Sequence, residues 1–134
     1  MFFKVFCDTS FFYASLTPED PNYDRARRAL QGHPQVGLMT SWEIVSETVT
    51  LLRYRQDYPL AVRFLAEVKP HLEIVPCDEH MREEAVHVFK RFSKDKKLSF
   101  CDCLSFVILT SLKKGLPVFT FDRDFKQFGF QVPC

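Results

Sequence analysis

Apolar and polar positions follow two rhythms along the chain. Short apolar runs occur at Phe3 to Cys7, Leu72 to Val75, Leu116 to Phe121 and Phe130 to Val132, each bounded by polar or turn residues, and predict strands. Val36 to Met39 predicts a brief strand or extended entry. Between these runs the apolar spacing is helical. Ser10 or Thr9 caps a helix over Phe11 to Leu16, broken at Thr17-Pro18-Glu19-Asp20-Pro21. Pro21 suits a first helical position, so a helix over Asn22 to Gln31 follows, ended by Gly32-His33-Pro34. Thr40 and Ser41 are caps for a helix reaching about Arg53, and Asp57 to Val68 is a further amphipathic helix. Asp78 caps a helix to about Phe92, with Met81, Ala85, Val88, Phe89 and Phe92 on its core face. Phe100 to Leu112 is apolar almost all round, which predicts a buried helix, and Asp124 to Phe128 a short helical turn.

Strands therefore alternate with helices. That order predicts an α/β fold with a mostly parallel sheet. Sites in such sheets form outside the carboxyl ends of strands. Asp8 and Asp122 each stand at that end of an apolar run.

Composition narrows the picture. The chain has 134 residues, 46% of them hydrophobic, enough for a core and in keeping with one domain over residues 1–134. No apolar run reaches the roughly 20 residues needed to span a bilayer. The opening Met1-Phe2-Phe3-Lys4-Val5-Phe6-Cys7 lacks a basic n-region and a small-residue cleavage site, which argues against a signal peptide. Five cysteines without a C-x-x-C pair fit free thiols in a reducing cytoplasm. Net charge is +1, so bulk electrostatics do not announce a nucleic-acid binder. Two local basic groups stand out, Lys90 to Lys97 and Arg25-Arg27-Arg28, each equally readable as a solvated surface. Most of the 15 Phe residues read as core; Phe11 and Phe12 are also candidates for a partner groove or for base stacking. The four His lack any triad or H-E-x-x-H context and read as surface residues.

The chemistry lies with the acids. Asp102 opens the apolar helix in Phe100-Cys101-Asp102-Cys103-Leu104, where an unpaired carboxylate is costly unless the helix terminus or a cation compensates. It also reads as a simple cap. Asp122 ends a strand, and Asp124 reads as the cap of the helix that follows; Arg123 between them can pair with either or meet a phosphate. Glu47 falls roughly opposite a core stripe of Val45, Val49 and Leu52 and reads as a surface acid. Acids that converge at a sheet end repel one another, and a divalent cation relieves the conflict. All-oxygen ligands point to Mg²⁺ or Mn²⁺, suited to phosphodiester hydrolysis. A Zn²⁺ site from Cys7, Cys101 and Cys103 has no partner His at a recognised spacing.

Four segments occur in a telling order: Val5-Phe6-Cys7-Asp8-Thr9-Ser10, Ser41 to Glu47, Leu98-Ser99-Phe100-Cys101-Asp102, and Phe119-Thr120-Phe121-Asp122-Arg123-Asp124-Phe125. This series resembles PIN-domain ribonucleases, and in length and motif style it is similar to VapC-type toxins of toxin–antitoxin pairs. The resemblance implies a three-layer α/β/α sandwich. It implies a metal site from Asp8, Glu47, Asp102 and Asp122, with Asp124 sometimes assisting, and a hydroxyl at Ser10 or Thr9 that orients the first acid, with Thr120 beside the last. It implies an RNA substrate, an antitoxin partner and paired subunits. Cys103 stands where the family usually has a small apolar residue, and cysteine behaves as one. Within this reading Arg123, Lys94, Lys96 and Lys97 are candidates for RNA contact, with the stretch Lys90 to Lys97 and the Arg25 group guiding the phosphate backbone. Rival readings are a non-catalytic binding module and a housekeeping RNA-processing nuclease without an antitoxin. A phosphatase fits less well, because Asp8-Thr9-Ser10 lacks a second acid two residues on, and a phospho-receiver because no acid pair with a strand-end Lys is evident.

Overall fold

The computed structural model describes residues 3–112 and 115–134; the first two residues of the apolar opening lie outside them. Strand β1 (Phe3–Cys7) runs into the core, with Val5, Phe6 and Cys7 fully buried. It is followed by α1 (Thr9–Leu16), α2 (Tyr23–Gly32), β2 (Val36–Thr40), α3 (Trp42–Arg55) and α4 (Tyr58–Arg63). Then come β3 (Glu73–Ile74), α5 (Glu79–Lys96), α6 (Phe100–Ser111), β4 (Val118–Phe119) and α7 (Arg123–Gln127).

Among the described residues the strands form a four-stranded sheet in the order β3-β2-β1-β4. Every pairing is parallel: Phe3 to Phe6 lie beside Val36 to Met39, Phe6 and Cys7 beside Val118 and Phe119, and Met39 and Thr40 beside Glu73 and Ile74. The inner part of β1, Val5-Phe6-Cys7, is apolar throughout because both its faces are covered; Phe3 and Lys4 at its start are exposed. The chain first moves outward from β1 to β3, then crosses back over β1 to reach β4. Parallel crossovers are right-handed, so α1 to α4 and the α5–α6 pair fall on opposite faces. This is the expected α/β/α layering. The direction reverses between β1 and β4, and a crevice opens outside the carboxyl ends of those two strands.

Several boundaries differ from expectation. Asp8, not Thr9 or Ser10, is the N-cap of α1, accepting from the Ser10 amide. Pro21 stays outside α2, which begins at Tyr23 after Asn22. The predicted helix from Asp57 is α4, followed by a π-helical turn, Phe64–Val68, and a 3₁₀ turn, Lys69–His71. Pro70 has no amide to donate, so a regular ladder cannot run through it. Helix α5 runs past Phe92 to Lys96 and ends at Lys97 in the left-handed region, φ 53°. Phe89 is 41% exposed rather than core. Strand β4 is confined to two residues, because Pro117 cannot donate and Thr120 turns to serve the site. Phe130 to Val132 forms no strand; a single bond from the Val118 amide to the Gln131 carbonyl, 2.8 Å, holds it to β4. Phe11 and Phe12 are buried, which removes them from any external groove. Phe106 stacks on Phe128 and Phe130 at centroid separations of 4.8 and 5.6 Å, fastening α7 and the tail to α6.

Candidate active site

The carboxyl ends of β1 and β4 are bound together by hydroxyls. Asp8 follows β1 directly, and its amide donates to the Phe119 carbonyl, 3.1 Å. Its Oδ2 accepts from Ser10 Oγ at 2.9 Å and from Thr120 Oγ1 at 3.0 Å. The two hydroxyls lie 3.1 Å apart. Ser10 Oγ also accepts from the Phe121 amide, 2.9 Å, and Thr120 Oγ1 from the Asp122 amide, 3.0 Å. Thr9, the other expected hydroxyl, is buried with its Oγ1 unpartnered among the described residues. It is Ser10 and Thr120 that orient Asp8.

Asp102 reaches the same place from α6. Ser99 is the true N-cap; Asp102 is the third residue of a reciprocal capping box, with Ser99 Oγ accepting from the Asp102 amide at 3.0 Å and Asp102 Oδ2 from the Ser99 amide at 3.1 Å. Asp122 caps α7 through Oδ1, which accepts from the Asp124 amide at 2.9 Å. Asp124 is therefore not the cap and sits in the first turn of α7. In each of Asp8, Asp102 and Asp122 one oxygen serves the fold. No well-aligned hydrogen bond from the described residues reaches the second; the Thr9 amide makes a weaker contact with the Asp8 carboxyl.

Asp8, Glu47, Asp102 and Asp122 line one cleft of about 450 Å³; Asp124 does not. Glu47 comes from α3, where the buried residues are Ile44, Val45, Thr48 and Leu52. The buried stripe is thus centred nearer Ile44 and Thr48 than Val49, and Glu47 borders it. Tyr13 and Arg55 also line the cleft, the guanidinium 6.0 Å from the ring centroid. Neither stands out in the sequence as a site residue. The spacing Glu47, Leu51, Arg55 is one helical face, and that repeat is the signal that could have found Arg55.

The site strains against ionisation. Burial pushes Asp8 up to about 6, opposed by the Ser10 and Thr120 hydroxyls and reinforced by the charge of Asp122. Burial also lifts Asp102 to about 6, with the charges of Asp8 and Glu47 adding to it. Asp122 is raised by burial and, in part, by Asp102. Among the described residues no group of three or more His, Cys, Asp and Glu side chains is drawn close enough to form a finished metal centre. The donors are nevertheless hard oxygens with a free lone pair each, crowded enough to resist ionising together. That set fits a hard divalent cation.

The other candidates lie elsewhere. Lys94, Lys96 and Lys97 do not line the cleft; Lys96 Nζ lies 2.7 Å from Gln127 Oε1. Arg123 lies in a neighbouring cleft with Arg25 and Lys126. All four His are exposed. No described helix is long and apolar enough to cross a membrane.

An α/β fold with acids gathered at the β1–β4 switch defines a class, and the PIN-domain family model matches residues 5–131. The chain belongs to the PIN-domain family. Its fold is VapC-like: the crystal structure of Mycobacterium tuberculosis VapC20, described as a sarcin–ricin loop cleaving toxin, superposes with a TM-score of 0.81. The two are 30% identical over 94% of this chain and 95% of that one. No curated protein matches the sequence.

Proposed function

We propose that the protein is a metal-dependent endoribonuclease and the toxin of a toxin–antitoxin pair. The observation that carries this reading is the convergence of Asp8, Glu47, Asp102 and Asp122, from four separate elements, on one cleft at the sheet switch. Asp8, Asp102 and Asp122 would hold Mg²⁺ or Mn²⁺ through their free oxygens. Glu47 completes the set or orients the attacking water, and Asp124 stands by behind Asp122. A bound divalent cation supplies the positive charge that activates water and steadies the attacked phosphate. Ser10 and Thr120 fix the Asp8 carboxylate so that its free oxygen keeps one direction. The Ser99 cap does the same for Asp102.

The working unit in this reading is the whole of residues 1–134 as one PIN domain. It acts in the cytoplasm, paired with a second copy and restrained by an antitoxin protein. RNA carrying a sarcin–ricin loop is the first substrate to try, by analogy with VapC20. Purified protein should cut such RNA in Mn²⁺ and lose activity in EDTA. Asp8→Ala should lower the rate by more than the 10–100-fold typical of losing an outer-shell metal partner. Equal cleavage by the two proteins would end the proposal. Calorimetric titration with Mn²⁺ separates it from a non-catalytic binding module, which would take up no metal with all four acids intact.

A further inference from the structure

A second cleft, of about 180 Å³, shares Phe121 and Asp122 with the acidic one but has the opposite character. Arg25 from α2 and Arg123 and Lys126 from α7 line it. Arg123 and Lys126 are three residues apart and share a helix face. Among the described residues no Asp or Glu side chain lies within 4.0 Å of any of the three cations. Arg25 is held in place. Its guanidinium carbon lies 5.1 Å from the Phe121 ring centroid. Its Nη1 donates to Asn22 Oδ1 and its Nη2 to the main-chain oxygen of Cys134, each at 3.2 Å. A guanidinium has five N–H donors, so most remain for a ligand. These contacts bias the exposed side chain toward one arrangement before anything binds, which favours affinity.

An RNA strand carries a charge at every nucleotide, and an acidic cleft repels it wherever no cation intervenes. A strand entering the carboxylate cleft therefore needs positive charge beside it. We propose that Arg25, Arg123 and Lys126 form a phosphate pocket that seats the RNA backbone one step away from the carboxylates. Asp122, on the shared wall, marks the boundary between the phosphate held and the phosphate attacked. The inference rests on the nuclease reading above; of the candidate groups in the sequence it keeps Arg25 and Arg123, adds Lys126 and sets aside the lysines after Phe92.

The test is binding of a fluorescein-labelled single-stranded RNA of mixed sequence, by anisotropy, without metal and over a range of salt. Arg25→Ala and the double variant Arg123→Ala/Lys126→Ala should each weaken binding about tenfold. They should also flatten the plot of log affinity against log salt by about 0.7 for each phosphate that the variant no longer neutralises. The triple variant Lys94→Ala/Lys96→Ala/Lys97→Ala should bind nearly as the wild type does. Unchanged affinity and slope in both pocket variants would overturn the pocket, as would an equal loss in the lysine triple. So would a polyglutamate peptide bound as tightly, with the same dependence on the pocket, since the site would then be a general acidic-chain receptor. Two failures are distinguishable. Pocket-dependent binding without Mn²⁺-dependent cleavage defeats the nuclease reading alone; Mn²⁺-dependent cleavage with unaltered pocket variants defeats the pocket alone.

Discussion

Asp8 serves the fold through one oxygen and, in the proposed nuclease, the metal through the other. Oδ2 accepts from the Ser10 and Thr120 hydroxyls, and the residue is only 4% exposed. Its charge is a burden on the metal-free fold, because burial and Asp122 both resist ionisation. Asp8→Asn keeps an acceptor for the hydroxyls and removes that charge. At pH 7.5 without metal the variant should melt higher than the wild type, by about 1–3 kcal/mol in stability. It should also gain less from Mn²⁺; a wild type held a hundredfold above its Kd gains about 2.7 kcal/mol. Differential scanning fluorimetry reads both. A lower melting point for the metal-free variant would show that the carboxylate stabilises rather than strains the site. Asp8 and Asp122 were legible in the sequence because an acid closing an apolar run marks a strand end. Glu47 was not, because its role depends on where the buried stripe of α3 is centred. A stripe drawn through Val49 turns Glu47 outward, whereas burial of Ile44 and Thr48 brings it to the cleft. The resemblance to PIN domains, not periodicity, singled it out.

Helix α6 joins local stability to the site. Its capping box ties Ser99 to Asp102 in both directions. Ser99→Ala should cost about 1 kcal/mol of stability, as removing an N-cap usually does. It should also release Asp102, so the Mn²⁺ affinity should fall together with the urea midpoint. A drop in stability with unchanged Mn²⁺ affinity in calorimetry would separate the cap from the site. The apolar length of α6 was plain from the sequence, but not which residue caps it, since Ser99 and Asp102 both suit the position. Similarly, Asp124 looked like the cap of α7, and Asp122 takes that place nearer the strand. Element types were legible from periodicity. The shortening of β4 and the winding beyond Arg63 were not, because both depend on prolines and on packing between segments distant in sequence.

At the scale of the molecule, the acids make stability depend on pH. Asp8 and Asp102 sit near 6 in the folded protein against an ordinary value of 3.8, so the fold holds protons that the unfolded chain releases. Their contribution is full below about 3.8 and is lost as pH rises through about 6. Metal-free protein should therefore resist urea better at pH 5 than at pH 7.5, by roughly 1–3 kcal/mol, and Mn²⁺ should narrow the gap. A midpoint that falls on acidification would contradict this. The parallel α/β class was legible from alternating strands and helices. The strand order was not, because nothing local in Val118 or Phe119 states that they lie beside Phe6 and Cys7. That late pairing has a consequence for how the protein is made. The hydroxyl clasp on Asp8 joins residues 110 and 112 positions apart, so the acidic cleft cannot be complete on a nascent chain until Thr120 and Asp122 have emerged. Until then one edge of β1 lacks its partner and offers bare amides and carbonyls to any passing strand. A chain that stalls before Val118 thus lacks the complete acidic cleft and is prone to aggregate; for the nuclease proposed above, the step of synthesis that ends the folding hazard is the one that begins the catalytic hazard.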